Sequence, residues 1–155
     1  IGREAARIGN GLGMKIMAYD PYICKNDEYL EKYGVEMTDI ENAIRNADFL
    51  TLHLPLTSET RYIINRSTLR SMKPSGYLIN TSRGELVNED DLYEALTSGV
   101  IAGAAEDVFS KEPPEGHKLL SLDKFILTSH MGAYTEEANE KMAVKSAVNL
   151  INMLQ

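Results

Sequence analysis

A single cysteine, no tryptophan and no surplus of positive charge set the first limits on this chain of 155 residues. The lone Cys24 excludes an internal disulfide and fits a reducing compartment. Its only basic neighbour is Lys25, so it reads as a bystander rather than a nucleophile. A net charge of -7 argues against nucleic acid or an anionic membrane as partner, since both demand a basic patch. No apolar run approaches the roughly 20 residues that cross a bilayer, and the N-terminus has no signal-peptide pattern. His53, His117 and His130 lie far apart without paired Cys or Glu spacing, so no metal site is expected. A metal-free cytoplasmic protein is the resulting expectation. What remains is ordinary for a soluble globule: 43% apolar residues and length for one domain with a proper core.

The chain alternates helical and strand patterns without repeat or linker. Residues 2–11 read as a helix stopped at Gly11-Leu12-Gly13, followed by a short strand from Lys15 to Tyr19 that ends in Asp20-Pro21. A helical turn or two over 27–32 and a weak strand over 35–37 come next. Thr38 is expected to cap a helix through Asn46. Strands are expected at 49–54, 77–80, 101–108 and 125–128, with helices at 65–72 and from Asn88 to Ser98. Thr135, followed by Glu136 and Glu137, starts a last helix of about 30 Å. Ala143, Ala147, Leu150 and Leu154 form its apolar stripe, widened by Val144, Val148 and Ile151. Continuous apolar strands alternating with helices imply an α/β fold with a doubly wound parallel sheet.

Three segments sit where apolar runs end: Asn80 to Gly84, Asp107 to Pro113, and Thr128 to Ala133. Ligands of such sheets bind at the strands' carboxyl ends, which is where these segments fall. They offer a cation, a carboxylate and an imidazole. A cation can hold a substrate carboxylate, an imidazole can move a proton, and a carboxylate can bias that imidazole towards its charged form. The set suits redox or acid–base chemistry on a small 2-oxo or 2-hydroxy acid.

Ile1-Gly2 leads straight into the first helix, and Asp20 follows Gly2 by 18 residues at the end of the next strand. That offset matches a dinucleotide-binding unit in which Gly2 is the third glycine of the phosphate loop and Asp20 receives the ribose hydroxyls. Such a carboxylate favours NAD over NADP by repelling a 2′-phosphate. On these residues alone a second reading stands beside it: Gly2 packs a helix on a strand, and Asp20-Pro21 is only a turn.

Taken in order, Tyr19-Asp20-Pro21, His53-Leu54-Pro55-Leu56-Thr57 with Thr60, Met72-Lys73-Pro74, Leu78 to Gly84, Asp107 to Pro113 and Thr128 to Thr135 carry a resemblance. The whole chain resembles the nucleotide-binding domain of the D-isomer-specific 2-hydroxyacid dehydrogenases, closest to the phosphoglycerate dehydrogenase and hydroxypyruvate and glyoxylate reductase branches. The resemblance implies a Rossmann-like NAD-binding domain over 1–155 that lacks its first strand, two phosphate-loop glycines and the substrate-binding domain. It implies catalysis by Arg83, Glu112 and His130: Arg83 on the substrate's carboxylate and carbonyl oxygen, His130 as general acid–base, and Glu112 as its partner. The interval of 29 residues from Arg83 to Glu112 is the one usual in that family. For NAD it implies Ile1 and Gly2 at the pyrophosphate, Asp20 at the ribose, and Leu54 and Pro55 on the adenosine side. Thr81 and Ser82 run beside the nicotinamide half with Arg83 and His130, Asp107 accepts from the carboxamide, and Gly132 and Ala133 pass close by. A homodimer is also implied.

One departure concerns Ser129, where that family usually places proline before the histidine; serine adds a donor and loosens the loop. Hydride transfer between NAD(H) and a small D-2-hydroxy acid, with 3-phosphoglycerate as a candidate, is the function this resemblance implies. The alternative from another class is an NAD(H)-sensing regulator or corepressor, which has no need of a proton donor.

Overall fold

The computed structural model describes residues 1–23 and 27–154. Cys24 and Lys25 therefore lie outside the described residues. Helix α1 (Gly2–Gly11) ends at Leu12, whose amide returns to Ile8 and Gly9, and Gly13 makes the exit with φ 79°. Strand β1 (Ile16–Ala18) follows, then helix α2 (Glu28–Lys32) and strand β2 (Val35–Met37). Helix α3 (Ile40–Asn46) is capped by Asp39, not by Thr38 as the sequence suggests. Asp39 Oδ1 accepts from the Asn42 amide at 2.7 Å, while the Thr38 hydroxyl accepts from the Asn42 side chain instead.

Strand β3 (Phe49–Leu52) stops two residues before the expected Leu54, because its pairing ends where Leu52 meets Asn80. Helix α4 (Arg66–Ser71) starts at a capping box between Asn65 and Thr68. Strand β4 (Tyr77–Asn80) and helix α5 (Glu89–Thr97, capped by Asn88) match expectation. Strand β5 is only Gly103–Glu106, and β6 is Phe125–Leu127. Helix α6 (Glu136–Met153) is capped by Thr135, which accepts from the Ala138 amide.

All strand pairs are parallel, but they form two sheets. One has the order β1-β2 and the other β3-β4-β5-β6. Among the described residues nothing pairs with the second edge of β1 or the outer edge of β3. The core lies under the larger sheet, where Leu69, Leu78, Leu86, Leu92, Ile101 and Leu119 are fully buried among α4, α5 and the strands. The apolar stripe on α6 is exposed, and no residue of that helix is buried. Helical spacing predicted which residues share a face; it did not determine what covers that face.

Candidate active site

Parallel pairing sends every carboxyl end of the larger sheet to one side, and the ladder continues past the strands. The Asp107 amide donates to Asn80 O at 2.9 Å, and the Thr128 amide donates to Glu106 O at 3.1 Å. The three loops predicted from sequence therefore begin side by side.

The first loop is shaped by Asn80, which is fully buried. Its carbonyl oxygen Oδ1 accepts from the Ser82 amide at 3.1 Å, and its Nδ2 donates to Arg83 O at 3.0 Å. This Asx turn presents Arg83 to solvent, with its guanidinium resting on Ser82 O at 2.7 Å. The Ser82 hydroxyl reaches Leu54 O at 2.6 Å and so ties the loop after β3 to the loop after β4. Leu54 is half-buried there, whereas Pro55 and Thr81 are exposed.

Gly84 joins the first loop to the second. A Cβ at this position would lie 2.0 Å from the Phe109 carbonyl carbon and 2.3 Å from the Ser110 nitrogen, so the two backbones touch. Ser110 is held from below by Glu89, which accepts from its amide at 2.7 Å and its hydroxyl at 2.8 Å. Glu112 then folds back: Oε1 accepts from the Phe109 amide at 2.9 Å, and Oε2 faces His130 Nδ1 at 2.8 Å. The Phe109 amide, followed by the His130 contact, holds the Glu112 carboxyl below its ordinary range. A cavity of about 320 Å³ opens beside this pair, lined in part by Phe109, Pro113, Pro114 and Ser129.

The third loop carries His130 in the left-handed region, with φ 55°. Asp107, only 6% exposed, lies under it. Its Oδ1 accepts from the Thr128 hydroxyl and from the Met131 amide at 2.9 Å, and its Oδ2 accepts from the Gly132 amide at 2.9 Å. Burial pushes this carboxyl up, but the Thr128 hydroxyl and the two amides more than offset it and leave it below the usual value. Gly132 is exposed, and a Cβ there would stand 3.1 Å from Asp107 Oδ2; the adjacent Ala133 is exposed too.

On the other side, Asp20 follows β1, and its Oδ1 accepts from the Tyr22 amide at 2.9 Å. Ile1 is exposed ahead of α1. Gly2 lies against His53, whose Cβ would be 3.4 Å from a Cβ on the glycine. That contact brings the N-terminus of α1 to the carboxyl end of β3, near Leu54. Burial pushes the His53 imidazole down, towards the neutral form.

Thus the structure brings Glu112, His130, Asp107, Gly132 and the Arg83 turn to one edge of one sheet. Asp20, Ile1 and Gly2 belong to the β1 side, linked to it through His53. Sequence reasoning missed Glu89 and Glu106, and it placed Asn80 and Thr128 in the site segments without giving either a role. Asn80 before Thr-Ser had the signature of an Asx turn, and Glu106 stood with Asp107 in an expected strand of otherwise apolar, mostly small residues.

Glu106 is the least satisfied of them. It is 2% exposed, its Oε1 is 3.5 Å from Asn80 Nδ2, and its Oε2 has no partner. Burial, more than the proximity of Glu89, pushes its carboxyl up to about 8 from an ordinary 4.5. The folded state therefore holds this proton more tightly than the unfolded chain. The stability that Glu106 contributes is full below about pH 4.5 and is lost as pH rises to about 8, by up to ~1.4 kcal/mol per pH unit. Glu106→Gln in the full-length protein should flatten this decline; urea unfolding at pH 5, 7 and 9 with equal slopes for both proteins would contradict the assignment. Gly84→Ala should destabilise by roughly 2 kcal/mol or more, because backbone rather than a side-chain tip must move. An unchanged urea midpoint would show that the loops can separate freely.

The family model for the D-isomer specific 2-hydroxyacid dehydrogenase NAD binding domain matches residues 1–132. D-3-phosphoglycerate dehydrogenase of Methanocaldococcus jannaschii is 48% identical over 90% of this chain and 26% of its own length. Glyoxylate reductase of Thermococcus litoralis is 43% identical over 97% of the chain and 45% of its own length. The solved NAD-complexed D-isomer specific 2-hydroxyacid dehydrogenase of Lactobacillus delbrueckii ssp. bulgaricus superposes with a TM-score of 0.88. It is 32% identical, covering 99% of this chain and 50% of that one. The chain thus spans half or less of the length of these relatives. With its parallel strands, its carboxyl-end loops and the Glu112–His130 pair, it belongs to the D-isomer specific 2-hydroxyacid dehydrogenase family as a NAD binding domain.

Proposed function

We propose that the full protein is an NAD-dependent dehydrogenase that interconverts a small D-2-hydroxy acid and its 2-oxo acid. The observation that carries this is the 2.8 Å contact between Glu112 Oε2 and His130 Nδ1. With Nδ1 facing the carboxylate, Nε2 is the nitrogen left for the substrate. In oxidation, His130 Nε2 takes the proton of the C2 hydroxyl as the C2 hydride departs, and the C2–O bond becomes a carbonyl. In reduction, the same Nε2–H returns the proton to the carbonyl oxygen. Glu112 stabilises the charged ring in between. Arg83, exposed at the carboxyl end of β4, holds the substrate carboxylate.

The donor set fits NAD, which when bound takes up or gives the hydride. The N-terminus of α1 at Gly2 would hold the pyrophosphate, Asp20 the ribose, and Leu54 and Pro55 the adenosine. Asp107 has accepted three donors, and one lone-pair site on Oδ2 remains for the carboxamide. A parallel strand from the rest of the polypeptide, pairing with both β1 and β3, would join the two sheets. The substrate class follows the relatives named D-3-phosphoglycerate dehydrogenase and glyoxylate reductase, with 3-phosphoglycerate the first candidate. The protein is cytoplasmic and a homodimer in this reading, with no nucleic-acid or membrane partner. Among the described residues no helix is long and apolar enough to cross a membrane, and no cluster of metal-ligating side chains occurs. A sensor of NADH has no use for the Glu112–His130 pair, which favours the enzyme.

The test is NADH oxidation by the full-length protein with 3-phosphohydroxypyruvate, hydroxypyruvate, glyoxylate and pyruvate; no turnover of any would overturn the reading. His130→Ala should lower kcat by roughly 10²–10⁴-fold with NADH affinity nearly unchanged. Glu112→Gln should lower kcat, since the neutral amide no longer stabilises the charged ring that forms during proton transfer. Normal turnover by the His130 variant would remove it from the mechanism. The coenzyme preference should be NADH over NADPH in kcat/KM, because Asp20 repels a 2′-phosphate. Equal values for the two would dismiss that role.

A further inference from the structure

The backbone of His130 stands in a conformation that a residue with a side chain rarely adopts. A left-handed φ outside glycine is strained and persists where neighbours over-determine it. The neighbours here are specific. All three donors that Asp107 receives come from residues bracketing the histidine: Thr128 two positions before it, and Met131 and Gly132 one and two positions after it. Hydrogen bonds to an ionised carboxylate are the strong kind. Asp107 is itself fixed by the strand ladder, through its amide on Asn80 O. Gly132 permits the close approach, since a Cβ would lie 3.1 Å from Oδ2.

We propose that Thr128 is a positioning residue for the proton donor: its hydroxyl, through Asp107, holds the loop that keeps His130 on Glu112. The inference rests on the dehydrogenase reading for its kinetic consequence, but the clamp itself rests on the contacts alone. It has a consequence for how the site is assembled. The same carboxylate that would seat the nicotinamide carboxamide with its remaining lone pair also sets the turn of the histidine. Cofactor and proton donor thereby share one rigid reference point, and neither can drift relative to the other without breaking a charge-assisted bond.

Asp107 cannot separate these two roles by mutation, because it belongs to both. Thr128 can. Its backbone amide donates to Glu106 O at 3.1 Å and survives any substitution other than proline, so a side-chain change leaves the ladder intact. Thr128→Val keeps the shape and removes the hydroxyl; Thr128→Ser keeps the hydroxyl and removes the methyl.

In the full-length protein, Thr128→Val should lower kcat roughly 10–100-fold, the scale of a small misplacement of a reacting group. NADH affinity, measured by fluorescence titration, should stay within about twofold. Thr128→Ser should recover most of the lost kcat. In the substrate-free protein, the ring resonances of His130 should move in the Val variant and return in the Ser variant. Unchanged kcat in Thr128→Val overturns the proposal. So does a loss of NADH affinity in step with kcat, which would make Thr128 part of the cofactor seat. If the wild-type protein turns over none of the four 2-oxo acids, the dehydrogenase reading fails on its own. The resonances still decide the clamp: unmoved His130 signals in a folded Val variant would sink it. Should the Val variant unfold, a Ser variant with shifted His130 signals or reduced kcat overturns the proposal, and a wild-type Ser variant supports it.

Discussion

Parallel register is the constraint from which the rest of this molecule follows. In an antiparallel sheet of the same order the loop after β5, with Asp107 and Glu112, would emerge at the opposite end from Arg83 and His130, whereas parallel pairing delivers all three loops to one end. The ladder bonds that run one step beyond the strands, Asp107 on Asn80 and Thr128 on Glu106, turn this general tendency into a fixed geometry. Each loop begins from a backbone whose partner is already specified. The side-chain contacts then have little distance left to close: Glu112 reaches back to the Phe109 amide and forward to His130, and Asp107 needs only to look up at the loop above it.

The same edge concentrates buried polar groups, and their opposing effects can be weighed. Asp107 is nearly buried yet accepts three donors, so its negative charge is retained. Glu106, one residue earlier and facing the other side of the strand, finds one long contact to Asn80 and nothing for Oε2. Its response is to keep its proton. Two neighbouring acids of similar intrinsic strength thus diverge because of the donors each side of the sheet supplies. The Asn80 amide both shapes the Arg83 turn and faces Glu106.

What the sequence made legible and what it hid divide along physical lines. The strand and helix order could be read because each element's signal is local: Asn65 and Thr68 within one turn, Asn88 before a run of acids, Thr135 ahead of α6. The motif loops could be read because residue type and strand-end position coincide. The partners of Thr128, Glu89 and Glu106 could not, since they lie more than twenty residues away and are set by strand register and loop path. The choice of Asp39 over Thr38 as cap hid for the opposite reason: two competent residues stood side by side, and only geometry selects between them. The stripe on α6 has the period of a packed helix while facing solvent, because period fixes a face and not its cover.

β1 and β3 each present an edge of backbone donors and acceptors that no described strand satisfies. Helix α1 is what reaches both sides: Gly9 sits so close to Ile16 of β1 that a Cβ would come within 2.8 Å of its side chain, and Gly2 lies on His53 just past β3. Side-chain contacts of this kind are softer than a ladder of hydrogen bonds, because they fix a separation without fixing a register. The loops after β4, β5 and β6, which carry Arg83, Asp107, Glu112 and His130, are by contrast tied to one another by ladder hydrogen bonds. Asp20, just past the end of β1, takes its place relative to Asp107 only as firmly as α1 is held. A parallel strand paired to both edges would convert that contact into a ladder, with the N-terminus of α1 and the carboxyl ends of β1 and β3 fixed to one another as the loops of the larger sheet already are.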